Sequence, residues 1–229
     1  GGGVGGLGGG GHVMVSAELN GRKTTRAYTP IACDTQQGHL DLLVKVYNPS
    51  PDFPEGGPMS QYLGKRAVGD SVTLRANKGE FCYLGRGSYR IAEGTLRKAS
   101  SLGFLCAGSG ITPALQIIQD ILRDPNDETE VWLLYCNKTE RDILAREMID
   151  DLAERHSKRF VRWYTITHAQ SRSHDWRYST GRVTEWMLTL FMPPPDTETC
   201  ITMCGPYGFV DECCLPMLED IGHSNIFTF

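Results

Sequence analysis

Two glycines flank Ser109 in the run LCAGSGITP, where an apolar, strand-like segment stops and a helical pattern begins at Thr112 and Pro113. Glycine at such a turn lets the backbone approach a diphosphate, whose charge the helix N-terminus favours. A second strand-like run ends in CGPYG, where the small thiol of Cys204 leaves room for a flat ring. In an open parallel sheet, ligands bind beyond the carboxyl ends of the strands, and both segments hold that position. Upstream, RAYTP (residues 26–30) combines a guanidinium, a phenol ring and a hydroxyl. Arginine can clamp a pyrophosphate through its rigid fork of donors, and tyrosine can lie against a ring or a ribose. GGPMSQYL (residues 56–63) adds small residues, backbone N–H groups and Ser60 ahead of a helix, a phosphate-receiving pattern. Taken singly, each has a plain alternative: a tight strand-to-helix turn, a core cysteine beside a turn, a surface strand, a loop.

Elements of two kinds must position these residues. From His12 to about Arg90 the segments HVMVSAEL, LDLLVKVY and DSVTLRA are rich in β-branched residues and separated by NG, QQG and NKG turns. That pattern predicts a small antiparallel barrel or sandwich. Beyond Leu102, the apolar runs LGFLCA, VWLLYC, VRWYTI and CITMC alternate with helical periods, which predicts a parallel sheet covered by helices. One helix is expected near Thr112, with Pro113 at its first position and Ala114, Ile117, Ile118 and Ile121 buried. A second is expected from about Arg141 to His156, burying Ala145, Met148, Ile149 and Leu152. MPPPDTE at 192–198 reads as a surface turn before the last strand, CITMC, because proline neither extends a helix nor donates to a ladder.

Composition narrows the function. With 23 Lys+Arg against 27 Asp+Glu, the net charge of −4 offers no cationic field for nucleic acid. The cysteines at 33, 82, 106, 136, 200, 204, 213 and 214 include no CxxC pair and no zinc-ligand spacing, so no metal is expected and reduced thiols are. No stretch approaches the roughly 20 apolar residues of a membrane-spanning helix, and residues 1–11 lack the layout of a signal peptide. A soluble chain is expected. Nine of those first eleven residues are glycine, which predicts that residues 1–11 are not native structure.

The order RAYTP, GGPMSQYL, GSGITP, CGPYG resembles the cytochrome b5 reductase family, and the resemblance runs from His12 to Phe229. It includes DLLVKVY, DILRDPND, NKTERDIL, WYTI and CLPMLEDIGH between and after the motifs. The resemblance implies a β plus α/β fold: an antiparallel FAD-binding β-barrel over residues 12–95, N-terminally truncated, then a Rossmann-like parallel-sheet NAD(P)H-binding domain over 96–229. It implies FAD as cofactor and NADH as electron donor, with cytochrome b5 or a similar haem protein as one-electron acceptor. By the same resemblance Arg26 binds the FAD pyrophosphate, Ala27 and Tyr28 pack on the flavin side, and Thr29 reaches flavin N5. Gly57, Met59 and Ser60 complete the phosphate cradle, while Lys45 and Tyr47 line the flavin and nucleotide region. Gly108, Gly110, Thr112 and Pro113 form the nicotinamide-side loop, and Cys204, Gly205 and Pro206 lie against the nicotinamide. His12 occupies the place of a histidine that links to that threonine, which suggests a proton relay toward N5.

Departures from the family pattern carry information. Ala32 stands where many relatives have serine, and Pro58 replaces a lysine, removing one phosphate or acceptor contact. In WYTIT, Thr167 replaces an acidic residue that would bond a ribose 2′-OH, with His168 and Arg172 beyond it, so donor choice is open to NADPH. A strand that precedes the His12 region in the family is absent or replaced by glycines, which leaves a barrel edge open. The expected protein is a monomer in the cytoplasm, with any attachment to the endoplasmic reticulum or mitochondrial outer membrane made by an N-terminal anchor outside this chain. Two alternatives stand beside it: a reductase module of a larger electron-transfer enzyme such as nitrate reductase, and a nucleotide-binding relative without turnover.

Overall fold

The computed structural model describes residues 9–31, 39–51, 53–92 and 94–229. Ala32, Cys33, the QQG turn and glycine-rich residues 1–8 lie outside the described residues. β1 (His12–Leu19) and β2 (Arg22–Tyr28) pair antiparallel from Val13–Tyr28 to Leu19–Arg22. The turn between them uses Asn20 and Gly21, both at positive φ, as a two-residue hairpin of this twist demands. β3 (Thr73–Asn77) pairs along the other side of β1. Val13 and Val15 point inward by the two-residue alternation of a strand, and Met59 of α1 (Pro58–Gly64) closes over them. Pro58 starts that helix, where its missing N–H costs nothing.

β4 (Phe81–Gly85), β5 (Ser88–Ile91) and β6 (Leu96–Lys98) make a second antiparallel sheet. The β-rich half is therefore two three-stranded sheets. LDLLVKVY does not form the expected strand: it keeps the Pro30–Leu42 bridge and the bond from Ile31 N to Asp41 O (3.0 Å). Both edges of β1 are already taken by β2 and β3.

The glycine-rich start also departs from expectation, since Gly9, Gly10 and Gly11 are buried parts of the structure. Gly9 bridges Tyr83, and Gly10 N donates to Gln116 Oε1 at 2.6 Å. Glycine is required here, because a Cβ on Gly10 would stand 1.9 Å from Phe81 O.

The remaining strands form one parallel sheet in the order β10 (Ser179–Thr180), β9 (Phe160–Ile166), β8 (Glu130–Asn137), β7 (Ser101–Ala107), β11 (Thr199–Cys204), β12 (Ile226–Thr228). CITMC is thus followed by one more short strand. α2 (Ile111–Arg123) begins a residue earlier than predicted, with Pro113 in its first turn and Ala114, Ile117, Ile118 and Ile121 buried. α3 (Arg146–Arg155) begins five residues later than predicted, because Thr139 and Asp142 cap a separate 3-10 turn at 140–142 and Ala145 takes φ +53. Ile149 and Leu152 are buried there, but Ala145 is only half-buried and Met148 is exposed on the outer face. α4 (Glu185–Phe191) leads to the proline turn, of which residues 194–198 are exposed while Met192 and Pro193 are buried. α5 (Tyr207–Phe209), a π-helical turn (Val210–Cys214) and α6 (Leu215–Ile221) complete the chain before β12. Among the described residues no helix is long and apolar enough to cross a membrane.

Phe81, Tyr83 and Tyr89 of the second antiparallel sheet share one hydrophobic cluster with Leu102, Ile117 and Ile118. Within it, Tyr83 OH donates to Asp127 Oδ2 at 2.6 Å and accepts from Gly87 N at 2.8 Å. Burial alone would raise the Asp127 pKa, but hydrogen bonds from Thr129, Tyr83 and Arg86 N outweigh it and hold the carboxyl below its ordinary value. Tyr83→Phe should therefore cost about 1–3 kcal/mol in urea unfolding, since a buried N–H and a carboxylate lose a partner. A depressed carboxylate stabilises above its unfolded pKa, so the gap between the two proteins should narrow as pH falls below about 4, leaving the part due to Gly87 N. A loss under about 0.5 kcal/mol at neutral pH would contradict this role.

Candidate active site

β7, β8, β9 and β11 end on one edge of the parallel sheet, at Ala107, Asn137, Ile166 and Cys204. Together with β2, α1 and the 43–48 segment they bound an open cleft of about 1370 Å³. Every residue singled out from the sequence as a site residue lines it. His12, Arg26, Ala27, Tyr28, Thr29, Gly57, Met59 and Ser60 stand on the antiparallel side. Gly108, Gly110, Thr112, Pro113, Thr167, Cys204, Gly205 and Pro206 stand on the parallel side, with Lys45 and Tyr47 between.

On the parallel side, Gly108 has φ +55 and Gly108–Gly110 makes one 3-10 turn into α2. Tyr135 OH donates to Gly108 O at 2.8 Å and accepts from Leu144 N at 3.3 Å, which fixes the turn. Thr112 Oγ1 donates to Ser109 O at 3.3 Å. A Cβ on Gly110 would lie 2.3 Å from Cys204 O, so glycine is what lets this turn sit against β11. A Cβ on Gly205 would meet the Phe209 ring at 2.6 Å. Burial pushes the Cys204 thiol up to about 11, so at neutral pH it is an uncharged, polarizable surface.

On the antiparallel side, Arg26 Nη1 donates to Thr25 O at 2.8 Å and the side chain is exposed to the cleft. The Tyr28 pKa is raised, by burial first, with Arg26 opposing. Ser60 Oγ donates to Gly57 O (2.9 Å) and accepts from Tyr47 N (3.1 Å), so this hydroxyl ties α1 to the 43–48 segment. His12 lies at the cleft wall with Nε2 3.0 Å from Asn77 Nδ2, and burial lowers its pKa. Its hydrogen bond runs to Asn77 and not to Thr29, which differs from the relay expected.

At the cleft, two contacts join lining residues of the 43–48 segment to the parallel half. Tyr47 OH and Ser109 Oγ are 3.0 Å apart, and Lys45 Nζ donates to Asp142 Oδ1 at 2.8 Å. Burial would raise the Asp142 pKa, but the bonds from Lys45 and Thr139 lower it, so the pair stays ionic. Ser109 and Asp142 were not singled out from the sequence, because their partners lie far along the chain. Asn137 was also missed. It is 6% exposed and lines the cleft. Its one sequence signal is a polar residue ending an apolar strand at a ligand-facing edge. Thr167 N donates to Asn137 O (3.0 Å) and His168 N to Lys138 O (2.8 Å), so these residues meet at the adjacent ends of β8 and β9. Arg172, in contrast, is exposed and does not line the cleft.

The donor set suits nucleotide cofactors: glycines that leave backbone open, guanidinium and ammonium groups for phosphate, and rings for stacking. Beside Gly108 a Cβ would meet nothing within 4 Å, so that turn faces open space. The cleft exceeds the roughly 300–1,000 Å³ of an ordinary small-molecule pocket, enough for two cofactors side by side.

Comparison with known proteins agrees. The oxidoreductase FAD-binding domain model matches residues 4–83, taking in part of the glycine-rich start, and the oxidoreductase NAD-binding domain model matches residues 104–214. NADH-cytochrome b5 reductase 2 of Gallus gallus is 42% identical over 225 residues, which cover 95% of this chain and 73% of that protein. NADH-cytochrome b5 reductase 3 of Rattus norvegicus is 42% identical over 227 residues, covering 95% of this chain and 74% of that one. Nitrate reductase [NADH] of Volvox carteri is 43% identical over 216 residues, covering 93% of this chain but 25% of that protein. The crystal structure of the cytochrome b5 reductase domain of Ulva prolifera nitrate reductase matches with a TM-score of 0.91 at 33% identity, covering 98% of this chain and 86% of that one.

The two loop glycines should respond differently to alanine. Gly108→Ala places a side chain in open space at a left-handed φ and should cost about 1–2 kcal/mol. Gly110→Ala must displace backbone at Cys204 and should cost at least about 3 kcal/mol, the upper end of overpacking. Equal losses for the two in denaturant unfolding would contradict the packing described.

Proposed function

The chain belongs to the cytochrome b5 reductase family of FAD- and NAD-binding oxidoreductases, and from that premise we propose which residues serve the transfer of electrons from NADH through FAD and what receives them. FAD supplies the hard chemistry, taking two electrons from the nicotinamide and releasing them one at a time. The protein's task is to hold two flat rings in contact, because transfer demands near-touching atoms.

In this reading Arg26 grips the FAD pyrophosphate, with Gly57, Met59 and Ser60 forming the rest of the cradle and Pro58 leaving it one cation short. Ala27 and Tyr28 support the flavin face, and Thr29 presents its hydroxyl to N5. β1 and β2 pair as far as Val13–Tyr28, and His12 and Thr29, the residues just beyond, both line the cleft. His12 would carry the relay's proton beside Thr29, in balance with its bond to Asn77. Gly108, Gly110, Thr112 and Pro113 receive the dinucleotide phosphates, Cys204, Gly205 and Pro206 bear on the nicotinamide, and Thr167 lies toward the adenosine end. Lys45 and Tyr47 hold the two sides together through Asp142 and Ser109. We assign residues 12–95 to the FAD-binding part and 96–229 to the nicotinamide part. The observation that carries the reading is that both residue sets line one continuous cleft.

We propose cytochrome b5 or a similar haem protein as the acceptor and a monomer as the working form, on the cytosolic face of a membrane if a segment outside these residues anchors it. The second reading, a reductase module of a larger enzyme, is supported by the likeness to algal nitrate reductases. The purified protein should bind FAD and reduce ferricyanide with NADH. Arg26→Gln should weaken FAD binding by about tenfold or more, the worth of a charge-assisted hydrogen bond. Turnover without bound flavin, or an unchanged FAD affinity in Arg26→Gln, would contradict the assignment.

A further inference from the structure

Six aromatic rings run in unbroken contact from the wall of the cleft to the protein surface. Tyr135, whose hydroxyl donates to Gly108 O at 2.8 Å, lies 6.3 Å from Tyr164 between ring centres and is its partner in the β8–β9 ladder. Tyr164 and Trp163 are consecutive in β9 and so face opposite sides of the sheet. Tyr178, just ahead of the two-residue edge strand β10, meets Tyr164 at 4.8 Å and Trp163 at 5.2 Å and carries the run around the sheet edge. Trp163 stacks on Phe191 of α4 at 4.0 Å, the rings 6° from parallel, and Phe191 meets Trp186 at 5.8 Å. Tyr135 and Tyr164 are fully buried, whereas Trp186 is 59% exposed. Of the chain's four tryptophans, Trp163 and Trp186 belong to the run and Trp176 touches it at Tyr178 (5.2 Å), so easily oxidised rings concentrate here.

Tyrosine and tryptophan are the aromatic side chains that give up one electron most readily, and closely spaced rings let the resulting hole step outward. A tyrosine must release its phenolic proton as the electron leaves. Tyr135 donates to a backbone carbonyl, which cannot take that proton. Tyr164 OH donates to Asp150 Oδ1 at 2.9 Å, a carboxylate that can, although it also accepts from Arg162 Nε. The guanidinium groups of Arg146 and Arg162 lie 5.8 and 6.0 Å from the Tyr164 ring, which disfavours a positive charge on it and makes proton loss the course of oxidation. The Trp163 indole N–H is held by Ser179 Oγ at 2.9 Å and stays in place.

We propose that Tyr164, Trp163 and Trp186 form a protective outlet that drains oxidising holes from the cleft to solvent, with Tyr135, Tyr178 and Phe191 as bridges. This rests on the reading of the cleft given above, because one-electron transfer from a reduced flavin to dioxygen gives the hydroperoxyl radical. That radical takes one electron from Tyr164 across Tyr135 and one proton from solvent, and leaves as hydrogen peroxide. The Tyr164 proton moves to Asp150. An electron from Trp163 across Tyr178 then restores Tyr164, which recovers its proton, and Trp186 restores Trp163. A soluble thiol or ascorbate returns the missing electron at Trp186.

The test locates oxidation by peptide mass spectrometry after illumination of the FAD-loaded protein. Blue light makes bound FAD a strong one-electron oxidant inside the cleft, while photo-oxidised ruthenium tris-bipyridine attacks from solution. Light on bound FAD should oxidise Trp186, and Tyr164→Phe and Trp163→Phe should each lower that yield severalfold. The same two variants should leave Trp186 oxidation by the ruthenium complex unchanged, whereas a merely structural role would alter both yields together. Trp186→Phe, a surface change that spares the fold, should move oxidation back to Trp163 and the cleft tyrosines. Equal Trp186 oxidation by bound FAD in the unmodified protein and both inner variants would overturn the outlet. If FAD binds and NADH reduces it but light leaves Trp186 intact, the outlet alone falls; if no FAD binds, the reading of the cleft falls with it.

Discussion

One buried carboxylate fastens the two halves of this protein together. Asp127, in the turn between α2 and β8, accepts from Tyr83, Thr129 and the Arg86 backbone, and Tyr83 belongs to the antiparallel sheet. Around it Phe81, Tyr83 and Tyr89 pack into the hydrophobic cluster that also contains α2 and β7. The halves therefore share a core rather than a thin interface. Across the mouth of the cleft, Tyr47 meets Ser109 and Lys45 meets Asp142. This fixed relation matters because hydride transfer needs its two carbon and nitrogen centres about 3–3.5 Å apart, and a displacement of 1 Å from remote slack is costly.

The chemistry inside the cleft follows from burial more than from charge. Burial pushes the Cys204 thiol up to about 11, so it stays protonated at neutral pH and is not a nucleophile. Burial likewise shifts the His12 pKa down. The basic groups Arg26, Lys45 and Lys138 all line the cleft, Lys45 paired with Asp142.

What could be read along the chain was whatever is written locally. GSGITP and CGPYG mark strand ends by glycine and proline, NG marks the β1–β2 turn, and the apolar stripe of α2 appears as Ala114, Ile117, Ile118 and Ile121. Placement by long-range pairing left weaker traces. The 40–47 segment looks like a strand by its β-branched residues, yet among the described residues it forms only the bridge at Leu42. Met148 fits a helical stripe, but the separate turn at 140–142 and the left-handed Ala145 rotate α3 so that it faces out. Gly9 and Gly10 looked like filler because their value lies in how closely Tyr83 approaches the first and Phe81 and Gly79 the second. Of the cleft, the sequence displayed the residues carried by motifs and concealed Asn137 and Asp142, which only the fold brings to its wall.

An anaerobic titration of the FAD-loaded protein with NADH probes the shared cleft most directly. If both rings sit in it, one equivalent of NADH should bleach the flavin absorbance completely, in a single phase within the enzyme's turnover time. Flavin that stays oxidised beside bound NADH would mean that the two halves hold their cofactors apart.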